Sequence, residues 1–366
     1  LLVKLYEQQG EGKVDFYNLT KCQFFLRAPE AVAKVLSNLL ENDSDYLKAY
    51  QIGFDLVETE NQSFLNIVNE KLSSSQHLRM ATLAKILSND TPRKLSLQFM
   101  KKNNHTDMLL LRNLTKDVGT KNSITHGACV WANGIMNAMT TNDSFLRENI
   151  DWVAKATNWN RFSATASVGM IHMGNEKDAE EVLNPYINGT GPQSSPYSTA
   201  GAYYAYGLIH ANQYSETRVE YLKNGFRNSG NNENIQHGVC LGLGLVSMAT
   251  SDDDVYREFK NVLYSDSAVA GEAAGLGMGL VRLGTAHEDS ISEMITYANE
   301  TSHEKIIRAL AIGLALIMYE KQEAADSLIE QLGRSKDAIL RYGGMFTIGL
   351  AYAGTGNNSA IRKLLH

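Results

Sequence analysis

The chain has 366 residues, 43% of them hydrophobic and 20% charged, and carries a net charge of −6. That is the make-up of an ordinary globular protein, long enough for more than one domain or for one continuous repeat array. Lys and Arg are scattered along it, which excludes the concentrated basic footprint of a nucleic-acid binder or of a protein held on an anionic membrane.

In chain order, the first part reads as successive amphipathic helices over residues 14–27, 29–40 with proline at its start, 45–58, 63–72, 78–87 and 93–102. Leu47, Tyr50, Phe54 and Val57 recur at helical spacing within it. The composition then changes: three glycines, Gly10, Gly12 and Gly53, precede residue 117, and 26 follow it. The expected organisation is a helical rod or arm over residues 1–117 and a separate glycine-rich body over 118–366. A short Ser-rich stretch at 73–76 is the only low-complexity segment of the arm.

The second body is built around residues 268–284, AVAGEAAGLGMGLVRLG, which read as a helix interrupted by Gly271, Gly275, Gly277 and Gly279. Each interior glycine costs a helix about 1 kcal/mol against alanine, so the set costs about 4 kcal/mol unless close packing offsets it. A missing side chain lets a neighbouring helix approach until the backbones nearly touch. Equivalent anchors occur at Gly134, Gly169, Gly207, Gly244, Gly279, Ala315 and Ala351, spaced 35–38 residues apart. Further small residues stand just ahead of them at Gly238, Gly242, Gly275, Gly277, Gly313 and Gly349. A fixed period of this length predicts an all-α solenoid whose supersecondary units bury their apolar faces only on each other.

Each repeat reads as a Gly/Ala-rich helix followed by an amphipathic one, with stripes such as Ile291, Met294, Ile295 and Ala298, or Ala325, Leu328, Ile329 and Leu332. Asp266 or Ser267, Ser302 and Asp337 are the expected caps of the first helices. Glu320 and Asn212 replace the small residue found as Gly174 and Gly284 in sister repeats, which predicts looser contacts there. Residues 186–198 form the one long loop, expected at a surface edge and mobile. The longest apolar run, 306–319, contains Arg308 and has only the length of a buried core helix.

No residue pattern points to catalysis, a cofactor or a metal. The acidic residues sit in solvent-like runs such as Asp252, Asp253 and Asp254, without the facing carboxylate pair that a helical-ring glycosidase needs. His172 and His210 share one repeat position and stack in register, and are read as buried hydrogen-bonded side chains. His126 and His237 fall at other offsets, and His303-Glu304 lacks a second histidine. The run 275–279 follows no strand and lacks the Lys-Ser/Thr ending of a phosphate loop. Tyr203, Tyr204 and Tyr206 are read as packing residues, with a peptide-binding face as the alternative. Cys22, Cys129 and Cys240 make no ligand spacing, so a reduced intracellular chain is expected. The Asn-x-Ser/Thr sequons, as at Asn18, Asn104, Asn113 and Asn188, reflect Asn-rich composition without a signal peptide.

These repeats resemble the proteasome/cyclosome repeat family. The residues that carry the resemblance are YLKAYQIGFDLVE, KATNWNRFSATASVGMIHMGNEKDA, YAYGLIHAN, GEAAGLGMGLVRLG and HEKIIRALAIGLALIMY, spread from the first helices to the last. The resemblance implies a rod leading into an α-solenoid that forms part or all of a toroid. It also implies a non-catalytic scaffold in the cytoplasm and nucleus that organises the proteasome ATPase ring, lid subunits and ubiquitin receptors or a deubiquitinase. Related alternatives are a smaller paralogous scaffold that docks ubiquitin-like domains and the large subunit of the anaphase-promoting complex. The chain starts at Leu1 without methionine and stops at His366 within AIRKLL, which predicts a piece of a longer protein. The family's further repeats, its C-terminal tail and its long acidic insertion are missing from it, so ring closure and receptor binding do not carry over.

Overall fold

A computed structural model describes residues 1–7, 14–59, 61–72, 78–118, 123–190 and 194–365. The Ser-rich stretch 73–76 lies outside the described residues, as do 191–193 of the long loop. Among the described residues the chain is all helical, with no strand. It divides into two compact units, Leu1–Phe99 and Met100–His366.

The first unit contains α1 (Leu2–Glu7), α2 (Phe16–Phe25), α3 (Pro29–Glu41), α4 (Tyr46–Val57), α5 (Gln62–Leu72), α6 (Leu78–Leu87) and the larger part of α7 (Asp90–Lys102). Pro29 opens α3, where its missing N–H has no intrahelical acceptor to lose. Its core joins Val32, Leu36, Ile52, Phe64, Val68 and Leu83. Packing skips one place along the chain, α3 on α5 and α4 on α6. A Cβ on Gly53 of α4 would stand 2.8 Å from Leu83 Cδ1 of α6, so glycine at this crossing provides space. Helix α7 starts three residues earlier than the sequence suggests, because Pro92 is accommodated in its first turn.

The second unit opens with α8 (Met108–Val118), which composition assigns to the arm. Two rows of helices follow. The first, Gly/Ala-rich row is α9 (Ser123–Met136), α12 (Asn158–Ile171), α14 (Pro196–Ile209), α16 (Glu233–Val246), α18 (Ala268–Val281), α20 (Glu304–Ile317) and α22 (Ala338–Ala351). Between and after them run α10 (Ser144–Glu148), α11 (Ile150–Val153), α13 (Ala179–Ile187), α15 (Glu216–Asn228), α17 (Asp253–Leu263), α19 (Glu288–Glu300), α21 (Asp326–Gly333) and α23 (Asn358–Leu365). First-row helices pack consecutively on one another, and α13, α15, α17, α19 and α21 each pack on the first-row helix that follows. This nearest-neighbour scheme is what defines an α-solenoid. One continuous core, from Val168 and Leu183 to Ile348 and Ala360, runs through it.

The ends of these helices differ from expectation in two places, at α20 and in the long loop. Of the two candidates at α18 it is Ser267 that caps, its Oγ accepting from Ala270 N, while Asp266 stands in the left-handed region at φ 54. Asp337 caps α22 as expected. At α20 the cap position is His303, not Ser302, and no side chain caps it. Asp266 instead accepts from the Thr301 hydroxyl at 3.1 Å and faces His303 Nε2 at 3.5 Å, so this entry segment is held by the preceding repeat. The long loop is also shorter than its Gly/Pro content suggests. Ser195 and Ser198 form a capping box that starts α14, and Thr199 Oγ1 donates to Tyr186 O at 3.0 Å.

Candidate functional site: a glycine seam and a half-exposed face

The seam lies between consecutive first-row helices. A Cβ on Gly169 would come closer than 3.0 Å to the backbone of Ala205, one on Gly207 to that of Gly242, and one on Gly279 to that of Gly313. From the other side, Gly238 meets Ala200 O and Gly242 meets Tyr203 O equally closely. Real Cβ atoms essentially never stand so near backbone, so only glycine fits these crossings. The remaining positions are graded. Gly134 would meet Ser167 Cβ at 3.1 Å, Gly244 would meet Gly277 Cα at 3.0 Å, and Gly275 would meet Leu310 Cδ2 at 3.2 Å. Gly277 faces the Phe259 ring at 2.6 Å, and Gly313 faces Met294 Cε at 2.5 Å and Gly275 O at 2.7 Å, which brings second-row side chains into the same seam.

The last anchor is displaced. Each earlier anchor stands two residues before the end of its helix, as Gly279 does in α18 and Ala315 in α20. In α22 that position is Gly349, and Ala351 is the buried final residue of the helix. A Cβ on Gly349 would meet nothing within 4 Å; among the described residues no further Gly/Ala-rich helix packs on α22. Gly201, six residues ahead of its anchor as Gly238 is of Gly244, belongs to the seam as well, abutting Phe162 O. The shared offset was the signal in the sequence for it.

A second repeated device closes the helix ends. The N–H groups of Met139, Gly174, Asn212, Ala249, Gly284 and Glu320 donate to Met170, Ile209, Leu245, Leu280, Leu316 and Leu350 carbonyls of the next first-row helix, over 2.9–3.2 Å. Thr141, Ser251 and Ala286 add a second bond to Ile171, Val281 and Ile317. Every one of these donors has φ between 52 and 77. Each turn thus satisfies C-terminal carbonyls that a helix leaves without intrahelical partners. Asn212 and Glu320 keep the same φ and the same bond, at 2.9 and 3.1 Å, so their contacts are not looser than those of Gly174 and Gly284. Small residues at these turns serve a dihedral, and a larger side chain standing outside the bond does not lengthen it.

The polar groups singled out in the sequence are drawn into structure. Asp252 caps α17, accepting from Asp254 N, Val255 N and the Tyr214 hydroxyl. Burial pushes its carboxyl up, but those three donors outweigh it and hold it below the usual carboxylate range. Asp253 pairs with the buried Arg282, whose guanidinium lies over the Tyr256 ring, and Asp254 pairs with Arg257. His172 and His210 are the buried C-caps of α12 and α14; His172 Nε2 lies 3.9 Å from Asp143 Oδ2, and His210 rests on Tyr206 at 4.4 Å. His126 Nε2 lies 2.9 Å from Trp152 O. Tyr203 and Tyr206 are core residues, and burial pushes the Tyr206 hydroxyl up to about 12. Tyr204, half-buried, stacks on Phe162. Residues 275–279 are uninterrupted helix within α18.

One face of the first row is only partly covered by its neighbours, although Leu280 still reaches Gly244 and Leu241 packs on the core. On it Leu241, Leu245, Leu276, Leu280, Ile312 and Leu316 are half-exposed at i, i+4 positions of α16, α18 and α20. Toward α12 it becomes aromatic, with the Trp159 ring in edge contact with Tyr197 and His237 at 5.4 and 5.1 Å. His237 Nδ1 bonds Val269 O at 2.7 Å, and burial pulls its pKa down. No group of His, Cys, Asp and Glu among the described residues could hold a metal ion, and no helix there is long and apolar enough to cross a membrane.

Comparison with known proteins places this two-row helical array beside chains of one kind. Residues 1–104 match the family described as 26S proteasome subunit RPN2, N-terminal domain. The whole chain aligns with the 26S proteasome non-ATPase regulatory subunit 1 homolog B of Arabidopsis thaliana, at 45% identity over 416 aligned residues. From end to end, this chain resembles proteasome non-ATPase regulatory subunit 1. The Drosophila melanogaster subunit is 40% identical over 100% of the chain, and the regulatory subunit rpn2 of Schizosaccharomyces pombe 41% identical over 97% of it. The chain spans 41% of the Arabidopsis and Drosophila relatives' length and 39% of the yeast one.

Proposed function

We propose that this chain is part of a non-catalytic scaffold subunit of the proteasome regulatory particle. In that role it organises the ATPase ring, the lid and ubiquitin receptors or a deubiquitinase for ubiquitin-dependent protein degradation, in cytoplasm and nucleus. The observation that carries the reading is the similarity of the whole chain to subunits named as regulatory and non-ATPase. The seam supports it: Gly169, Gly207, Gly238, Gly242, Gly279 and Gly313 are committed to helix contact, and the conspicuous acidic run to caps and ion pairs. We read the anchors and their flanking glycines as structural, with residues 1–117 as an arm and 118–366 as the repeat body. Affinity purification of the full-length tagged protein from its own cells, with ATP present, tests the reading. ATPase, lid and core-particle subunits in near-equal amounts are expected. Recovery of the chain alone, or with ubiquitin-ligase subunits, removes it.

A further inference from the structure

We draw no further inference here: the strongest candidate, the half-exposed apolar face that Trp159, Tyr197, Leu245, Leu280 and Leu316 build along the first row of helices, carries none because nothing in the structure shows what covers it.

Discussion

The helix seam and the turn row use small residues for opposite reasons. In the last turn of their helices, Gly207 and Gly279 are conformationally unfavourable and are retained because a neighbouring backbone occupies the place of a Cβ. In the turns, Gly174 and Gly284 have φ of 77 and 62; there glycine removes a dihedral penalty. The difference sets what each of these positions tolerates. No side chain replaces Gly207 without moving backbone, whereas Asn212, Ala249 and Glu320 stand in the turn and still make the bond.

Gly279→Ala should break the seam strongly. Overpacking against the Gly313 backbone costs about 3 kcal/mol, against about 1 kcal/mol of helix propensity regained, so denaturant unfolding should show a net loss of about 2 kcal/mol. An unchanged midpoint would mean that the helices part freely. Gly244→Ala sharpens the gradient: its nearest neighbours are Gly277 Cα at 3.0 Å and the movable Leu280 Cδ1 at 3.1 Å. An overpacking cost of about 1 kcal/mol is then nearly offset by propensity, so stability should hardly change.

In the turn row the sign reverses. Glu320→Gly relieves a left-handed residue at φ 58 and should stabilise by about 0.5–1 kcal/mol, since the penalty of about 1–2 kcal/mol exceeds the entropy that glycine adds to the unfolded chain. Destabilisation measured by the same denaturant titration would show that the Glu320 side chain holds the turn. The smallest expected effect concerns His237. Its native pKa lies below the unfolded value of about 6.5, so on acidification below that value the unfolded chain binds a proton that the folded chain refuses. Stability should therefore fall as pH drops from about 6.5 toward the lower native value. His237→Asn, which keeps a donor for Val269 O, should remove that slope in unfolding titrations at stepped pH, and an unaltered slope would assign it to another group.

The sequence carried the fold class, because a solenoid repeats its packing problem and the same answer recurs about every 36 residues. The anchors from Gly134 to Ala315 were legible for that reason. The seventh was read at Ala351 instead of Gly349, since both are small and only the helix end distinguishes them. The caps were less legible. Ser302 is a good local cap, but Asp266 and Thr301 of the adjoining turn decide where α20 begins. Asn212 and Glu320 misled for a related reason: the sequence shows size, while the turn selects φ. The half-exposed face of the first row was hidden because its Leu and Ile residues share a helical period with those of the core.

Side-by-side calorimetric melting of Gly207→Ala and Gly349→Ala in this 366-residue chain tests the space-filling account most directly. Both substitutions place alanine in the same seam position of equivalent helices, but only Gly207 faces backbone, and Gly349 faces open space. The account predicts destabilisation by about 2 kcal/mol for the first and stabilisation by up to about 1 kcal/mol for the second. Shifts of the same sign and size would contradict it, because they would mean that these glycines are retained for something other than the room they leave.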